Sequence, residues 1–209
     1  KTNLKDYSQL KILDSYIDND NLYISTYQGQ RNQEHCNFRI LHSKINLEIL
    51  KFNEIFLNPG CVNDTMQGGR MQKISIDESQ GLLFSLVANS NDKGNFNAQD
   101  NTSNFGKILF LDTSSGQSEI YSKGHRNPQG LLVKNNIILS TEHGPQGGDE
   151  INIIKRNKNY GWPVASYGNY YYTDSNNYLK SHELNGFEEP VYSYIPAIGI
   201  SEIVEIPQK

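Results

Sequence analysis

The residues of this chain that could do chemistry concentrate in one run: Ser140-Thr141-Glu142-His143-Gly144-Pro145-Gln146-Gly147-Gly148-Asp149-Glu150-Ile151-Asn152. Asn159-Tyr160-Gly161-Trp162-Pro163 follows it, and Gly124-His125-Arg126-Asn127-Pro128-Gln129-Gly130 precedes it. An apolar strand over Ile137 to Leu139 enters a Gly/Pro loop that carries acids and a histidine. A second apolar strand, Ile151 to Ile154, leads out of it. Glycines let a backbone approach a ligand closely and turn its carbonyls outward. Carbonyl and carboxylate oxygens together suit a hard cation such as calcium.

The elements that must position this loop read as short strands. Tyr, Ile, Leu and Ser recur in brief runs broken by Asn, Asp and Gly, an all-β pattern. A repeat emerges when three segments are aligned. Ile12 to Ile17, a turn at Asp18 to Asp20, and Leu22 to Ser25 form the first. Ile74 to Ile76, a turn at Asp77 to Gly81, and Leu82 to Ser85 form the second. Leu131 to Val133, a turn at Lys134 to Asn136, and Ile137 to Ser140 form the third. Ser25, Ser85 and Ser140 take the same place in each. A further strand follows in every unit (Phe38 to Leu41, Lys107 to Leu111, Glu150 to Ile154). Fourth strands are expected at Leu47 to Phe56 and Gln117 to Tyr121. Four strands at a period of roughly 55–60 residues read as β-propeller blades; an antiparallel sandwich has similar strands and turns. The blades span roughly residues 8–58, 59–121 and 122–190 of one partial domain over 1–209, and a fourth begins over 191–209 at the strand Gly199 to Ile206. Three complete blades and a fraction leave open sheet edges, so another chain or further blades are expected to cover them.

The 209 residues carry a net charge of -4, which argues against a nucleic-acid binder driven by phosphate contacts. No apolar run approaches the ~18 residues of a membrane span. Lys1 to Asp14 is polar and shows no signal peptide, as a cleaved mature chain also would. Cys36 and Cys61 could form a disulfide in an exported protein or remain two thiols, and spacing leaves this open.

Five ordered motifs carry a resemblance: Gly68-Gly69-Arg70; Asn97-Ala98-Gln99-Asp100 with Phe105-Gly106-Lys107-Ile108-Leu109; the run from Gly124 to Gly130; the run from Ser140 to Asn152 with Asn159 to Pro163; and Pro190-Val191-Tyr192-Ser193-Tyr194. Together they resemble the glucose/sorbosone dehydrogenase family, over about residues 59–206 and less clearly over 8–58. That resemblance implies a six-bladed propeller of which this chain holds part. It implies an oxidoreductase that passes hydride from an aldose sugar to pyrroloquinoline quinone (PQQ), uses calcium, and is periplasmic or secreted. It places Arg126 and Asn127 against the cofactor, where a guanidinium can pair bidentately with one of the three PQQ carboxylates. The alternative is an Arg and an Asn that satisfy loop carbonyls. His143 would lie near the quinone plane and Asp149 beneath the cofactor. The carbonyls of Gly144 and Pro145 would hold the cofactor's calcium. Glu150 and the Tyr160 carbonyl match a second, structural calcium site, with Asn169 or Asp174 as candidates for a third ligand. Trp162 is expected to pack between blades.

The pattern fails at the general base. The family's histidine, four residues before the Arg of Gly-Gly-Arg, is Met66 here, and a thioether has no useful basicity. Asp64 or His143 are the candidate substitutes. The cationic residues of the late blades, which complete the family's PQQ cage, would lie beyond residue 209. Two readings therefore stand: a PQQ-dependent sugar dehydrogenase, or a non-catalytic propeller that binds a partner, a carbohydrate or calcium through the same loops.

Overall fold

The computed structural model describes residues 1–4, 9–29, 34–46, 48–63, 68–89, 96–171 and 178–206. The expected base position Met66 and its substitute Asp64 lie outside the described residues, as does Asp174. The described chain is all-β, as the strand pattern predicted, with thirteen strands and a short turn of 3-10 helix at Glu183–Asn185. No described helix is long and apolar enough to cross a membrane.

The strands form three sheets in chain order. The first holds β1 (Leu10–Asp18), β2 (Asn21–Gly29), β3 (Glu34–Lys44) and β4 (Asn53–Asn63). The second holds β5 (Gly68–Ile76), β6 (Ser79–Leu86), β7 (Lys107–Asp112) and β8 (Ser118–Lys123). The third holds β9 (Pro128–Lys134), β10 (Ile137–Glu142), β11 (Asp149–Ile153) and β13 (Tyr192–Tyr194). The two-residue β12 (Lys158–Asn159) returns from the third unit and pairs in parallel with β8 of the second. The first hairpin of each sheet turns on left-handed residues: Asn19 in the first, Asp77 in the second, Asn135 and Asn136 in the third. Asn and Asp tolerate that conformation better than other residues with a Cβ, which explains the Asn/Asp punctuation of the repeat.

Alternation along β6 and β7 explains the cores. Leu82, Phe84 and Leu86, with Leu109 and Leu111, pack toward the first sheet against Tyr27, Phe38 and Phe56. Leu83, Ile108 and Phe110 point the other way, toward Leu131, Ile138, Ile154 and Tyr160 of the third. A sheet covered on both faces needs uninterrupted apolar strands, which is why Leu82-Leu83-Phe84 shows no polar partner to its alternation. The Phe38 and Phe84 rings stack at 5.9 Å across the first interface.

The first strands of the sheets also meet: β1 packs on β5 and β5 on β9. Arg70 ties them. Its Nε donates to the Gln129 carbonyl at 2.6 Å, its NH1 donates to the Leu13 carbonyl at 3.1 Å, and Glu202 lies 3.2 Å from Nε. Cys36 and Cys61 face each other across β3 and β4 and form a disulfide.

Two boundaries differ from the sequence reading. The first sheet's outer strand lies at Asn53–Asn63, later than Leu47 to Phe56. Residue 191 does not begin a fourth unit, because β13 is the outer strand of the third sheet, with Ser193 opposite Glu150. A long excursion between β11 and β13 delays the strand that must cover β11. Residues 199–206 form no strand. They run beside the third sheet instead: Thr141 Oγ1 donates to the Ser201 carbonyl at 2.5 Å, and Glu205 pairs with Lys134 at 2.7 Å.

Candidate functional site

The loop between β10 and β11 is shaped by glycine. A Cβ on Gly144 would collide with the Gly147 and Gly148 carbonyl oxygens, and one on Gly148 would strike the Gly168 amide. Both positions therefore require glycine. Asp149, 2% exposed, locks the loop. Its Oδ1 accepts the Gly144 amide at 3.0 Å, and its Oδ2 accepts the amides of Ile198, Gly199 and Ile200 at 3.1, 2.7 and 3.0 Å. Four N–H donors thus meet the Asp149 oxygens, and the side chain clamps the loop backbone. No described residue donates a hydrogen bond to the carbonyls of Gly144, Pro145 or Tyr160.

Arg126 enters from the β8–β9 connection. Its guanidinium lies 5.2 Å from the Trp162 ring centroid, and its NH1 donates to the His143 carbonyl at 3.2 Å. Arg126 Nε, His143 Nε2 and Trp162 Nε1 are buried without a partner, a condition that costs free energy unless a ligand or water supplies one. The Asn127 side-chain oxygen accepts from Gln129 Nε2 at 2.8 Å. Trp162 packs with Ala88, Ala98 and Tyr178, joining the β6–β7 connection to the stretch after β12. Of the two readings of Arg126, the loop-carbonyl contact exists, yet it occupies only part of the guanidinium.

Behind Arg126 lies a buried acid network that the sequence reading missed. Glu142 and Glu150 face each other directly across β10 and β11, an arrangement of like charges that destabilises a sheet unless something intervenes. Asn152 intervenes, donating from Nδ2 to Glu142 Oε1 at 3.0 Å and to Glu150 Oε2 at 3.2 Å. Glu142 also meets His125 Nδ1 at 3.0 Å and accepts the Arg126 amide at 2.9 Å. Burial alone would raise the Glu142 carboxyl. The charge and hydrogen bond of His125, with the Arg126 and Asn152 donors, outweigh it and hold Glu142 below the usual carboxylate range. Glu150 has no such support. Burial, followed by the Glu142 charge, pushes its carboxyl well above that range. His182 Nε2 is 3.7 Å from Glu150 Oε1, and burial lowers the His182 imidazole.

Glu142, Glu150, Tyr160, His182 and Arg126 line one cavity of about 10 Å³, room for one water or a bare ion. The two residues expected at a second cation site, Glu150 and Tyr160, therefore share a cavity. Asn169 does not join them; its side chain accepts from Lys180 Nζ at 3.1 Å. Among the described residues, no three His, Cys, Asp or Glu side chains are grouped to hold a metal, so a cation here would depend on carbonyl oxygens as well. The sequence signal of the missed network was weak, because Glu150 and Asn152 alternate with Ile151 and Ile153 along β11 as on any strand with one polar face.

A family model described as Glucose / Sorbosone dehydrogenase matches residues 8–208. The chain is 34% identical over 149 residues to aldose sugar dehydrogenase YliI of Escherichia coli (strain K12), covering 64% of this chain and 38% of that protein. It is 56% identical over 52 residues to quinoprotein glucose dehydrogenase B of Acinetobacter calcoaceticus, covering 24% of this chain and 11% of that one. The crystal structure of the soluble aldose sugar dehydrogenase (Asd) from Escherichia coli in the apo-form aligns with a TM-score of 0.76 at 27% identity. That alignment covers 94% of this chain and 61% of the other. The chain thus spans less than two thirds of each of these relatives.

Proposed function

This chain belongs to the Glucose / Sorbosone dehydrogenase family, and from that premise we propose that it forms part of a PQQ-dependent aldose dehydrogenase. The observation that carries the proposal is the pair of partnerless buried nitrogens, Arg126 Nε and His143 Nε2, beside a glycine-shaped loop. The residues fit an acceptor-rich, anionic group. Arg126, with Asn127 beside it, would bind a carboxylate, and His143 would donate to a carbonyl oxygen. The unengaged carbonyls of Gly144 and Pro145 suit an accompanying calcium. Asp149 would act indirectly, holding the Gly144 amide and so the direction of the neighbouring carbonyls. PQQ, when bound, supplies the hydride acceptor for sugar oxidation.

Glu150 and the Tyr160 carbonyl would hold a second calcium. Glu150 faces Glu142 with one Asn between them and lacks the His125 and Arg126 donors that Glu142 has, and a divalent cation would supply the missing positive charge. The three sheets read as consecutive propeller blades. Exposed Ile12 and Ile17 on β1, and Ile195, Val204 and Ile206 near the other end, support edges that further blades or another chain cover. A periplasmic or secreted site accords with the Cys36–Cys61 disulfide.

A second reading, a non-catalytic propeller that binds a carbohydrate, a partner or calcium, is favoured by Met66 at the expected base position. Dye-linked oxidation of aldoses, with PQQ and calcium supplied, separates the two. The enzyme reading predicts turnover that Arg126→Ala abolishes. Saturable PQQ binding without turnover keeps the proposed cofactor site and removes the activity, and absence of both turnover and PQQ binding rejects the proposal in favour of the second reading.

A further inference from the structure

We infer that Glu142 is a positioning residue, whose buried carboxylate fixes the backbone at Arg126 and thereby aims the guanidinium along the Trp162 ring. The inference rests on the proposed function only for what Arg126 binds; the placement itself needs no ligand. Glu142 ends β10 at a register shift against β9, between Thr141 and Glu142. Such a bulge re-aims a side chain, and here it directs the carboxylate inward, leaving the residue 4% exposed.

The two oxygens then grip consecutive residues. Oε2 accepts the Arg126 main-chain N–H at 2.9 Å, and Oε1 meets the His125 Nδ1 at 3.0 Å. The imidazole is itself held, by Ser122 Oγ at 2.8 Å from Nε2 and by the Tyr160 ring stacked at 4.6 Å. A residue held at its own amide, and through the side chain before it, has little freedom in its Cα–Cβ direction.

That constraint accounts for a pose that Arg126 would not adopt on side-chain contacts alone. The guanidinium gains one hydrogen bond to the His143 carbonyl and one ring contact, but its Nε stays buried without a partner. Water would satisfy that donor if the backbone let the side chain swing out. Glu142 also lines the cavity beside Glu150. Its oxygens, however, already face three donors, whereas Glu150 accepts one bond and has only the His182 nitrogen near by. Glu142 therefore belongs to the frame of the site rather than to a cation's ligands.

Nuclear magnetic resonance on the whole chain, without cofactor, tests this. The chain has one tryptophan, whose ring current should displace the Arg126 Nε–H signal; Arg126→Lys, which removes that signal, assigns it. In Glu142→Met, which keeps the length of the side chain but has no oxygen to accept the Arg126 N–H, the displacement should be lost and exchange of the Arg126 amide should accelerate by tenfold or more. Asn152→Ala removes a donor to Glu142 without touching residue 126 and should keep the displaced signal. A displaced signal that survives Glu142→Met overturns the inference. If Glu142→Met does not fold, the wild type decides: a protected Arg126 amide supports the inference, and exchange at the rate of an exposed loop amide refutes it. Failure of PQQ to bind would reject the proposed function and leave these signals unchanged.

Discussion

Replacing Glu150 by Gln should stabilise the cation-free protein and remove its response to calcium. Glu150 is 8% exposed, faces Glu142 across the strand pair and accepts one hydrogen bond, from Asn152. Its carboxyl is raised in the fold, first by burial and then by the Glu142 charge. A raised carboxylate makes the folded state hold a proton that the unfolded chain releases. Stability therefore falls as pH rises from the unfolded value near 4.5 toward the folded one, and the loss is complete above it. Gln keeps the shape and can still accept from Asn152 without the charge. Poorly compensated burial of a polar group costs ~1–3 kcal/mol, and each kcal/mol is worth about 2–4 °C in a chain of this size. At pH 7.5 in chelator the variant should melt roughly 4–8 °C above wild type, for a gain near 2 kcal/mol. At pH 4.5 the two should converge. Calcium at 100 times its Kd should add ~2.7 kcal/mol to wild type and nothing to the variant, reversing their order. Calorimetric melts at both pH values, with chelator and with calcium, provide the assay. A wild type indifferent to calcium, with a variant less stable at every pH, would refute the reasoning.

Other consequences are as direct. Burial pulls the Lys107 amine down to about 8, so the unfolded chain binds more protons above that value; wild type should gain stability over Lys107→Met as pH rises from about 8 to about 10, read from denaturant midpoints. Arg70→Ala removes the tie between the first strands of three sheets and should cost about 2–4 kcal/mol, with Arg70→Lys recovering little because it lacks the guanidinium fork. Reduction of Cys36–Cys61, whose residues are 25 apart in sequence, should cost about 3 kcal/mol, seen in melts with and without reductant. In a form that includes the later blades, Met66→His should raise dye-linked aldose oxidation, since loss of a general base typically costs about 10²- to 10⁴-fold.

What the sequence made legible was local. Short apolar runs such as Leu82 to Phe84, the Asn and Asp at hairpin turns, and the recurring Ser25, Ser85 and Ser140 all report structure within one or two strands, and the all-β reading rests on them. The third sheet's outer strand was harder to place, because the excursion between Ile153 and Tyr192 interrupts the period. The clamp made by Asp149 was not legible, because its three amide donors at 198–200 lie about fifty residues downstream, beyond any motif. Glu142 and His125 are seventeen residues apart, and the β10 register shift that lets them meet leaves no mark in composition. Contacts made by folding, rather than by spacing, decided which residues of the loop could face a ligand.

PQQ binding by Arg126 beside the Gly144–Pro145 loop is the property from which the proposed activity follows. Titrating PQQ into the whole chain, with Trp162 fluorescence as the signal, measures it, since the only tryptophan lies against that guanidinium. Saturable quenching that needs calcium and weakens at least tenfold in Arg126→Ala is the predicted result. Absence of saturable quenching, or quenching equal in Arg126→Ala and in chelator, would contradict it.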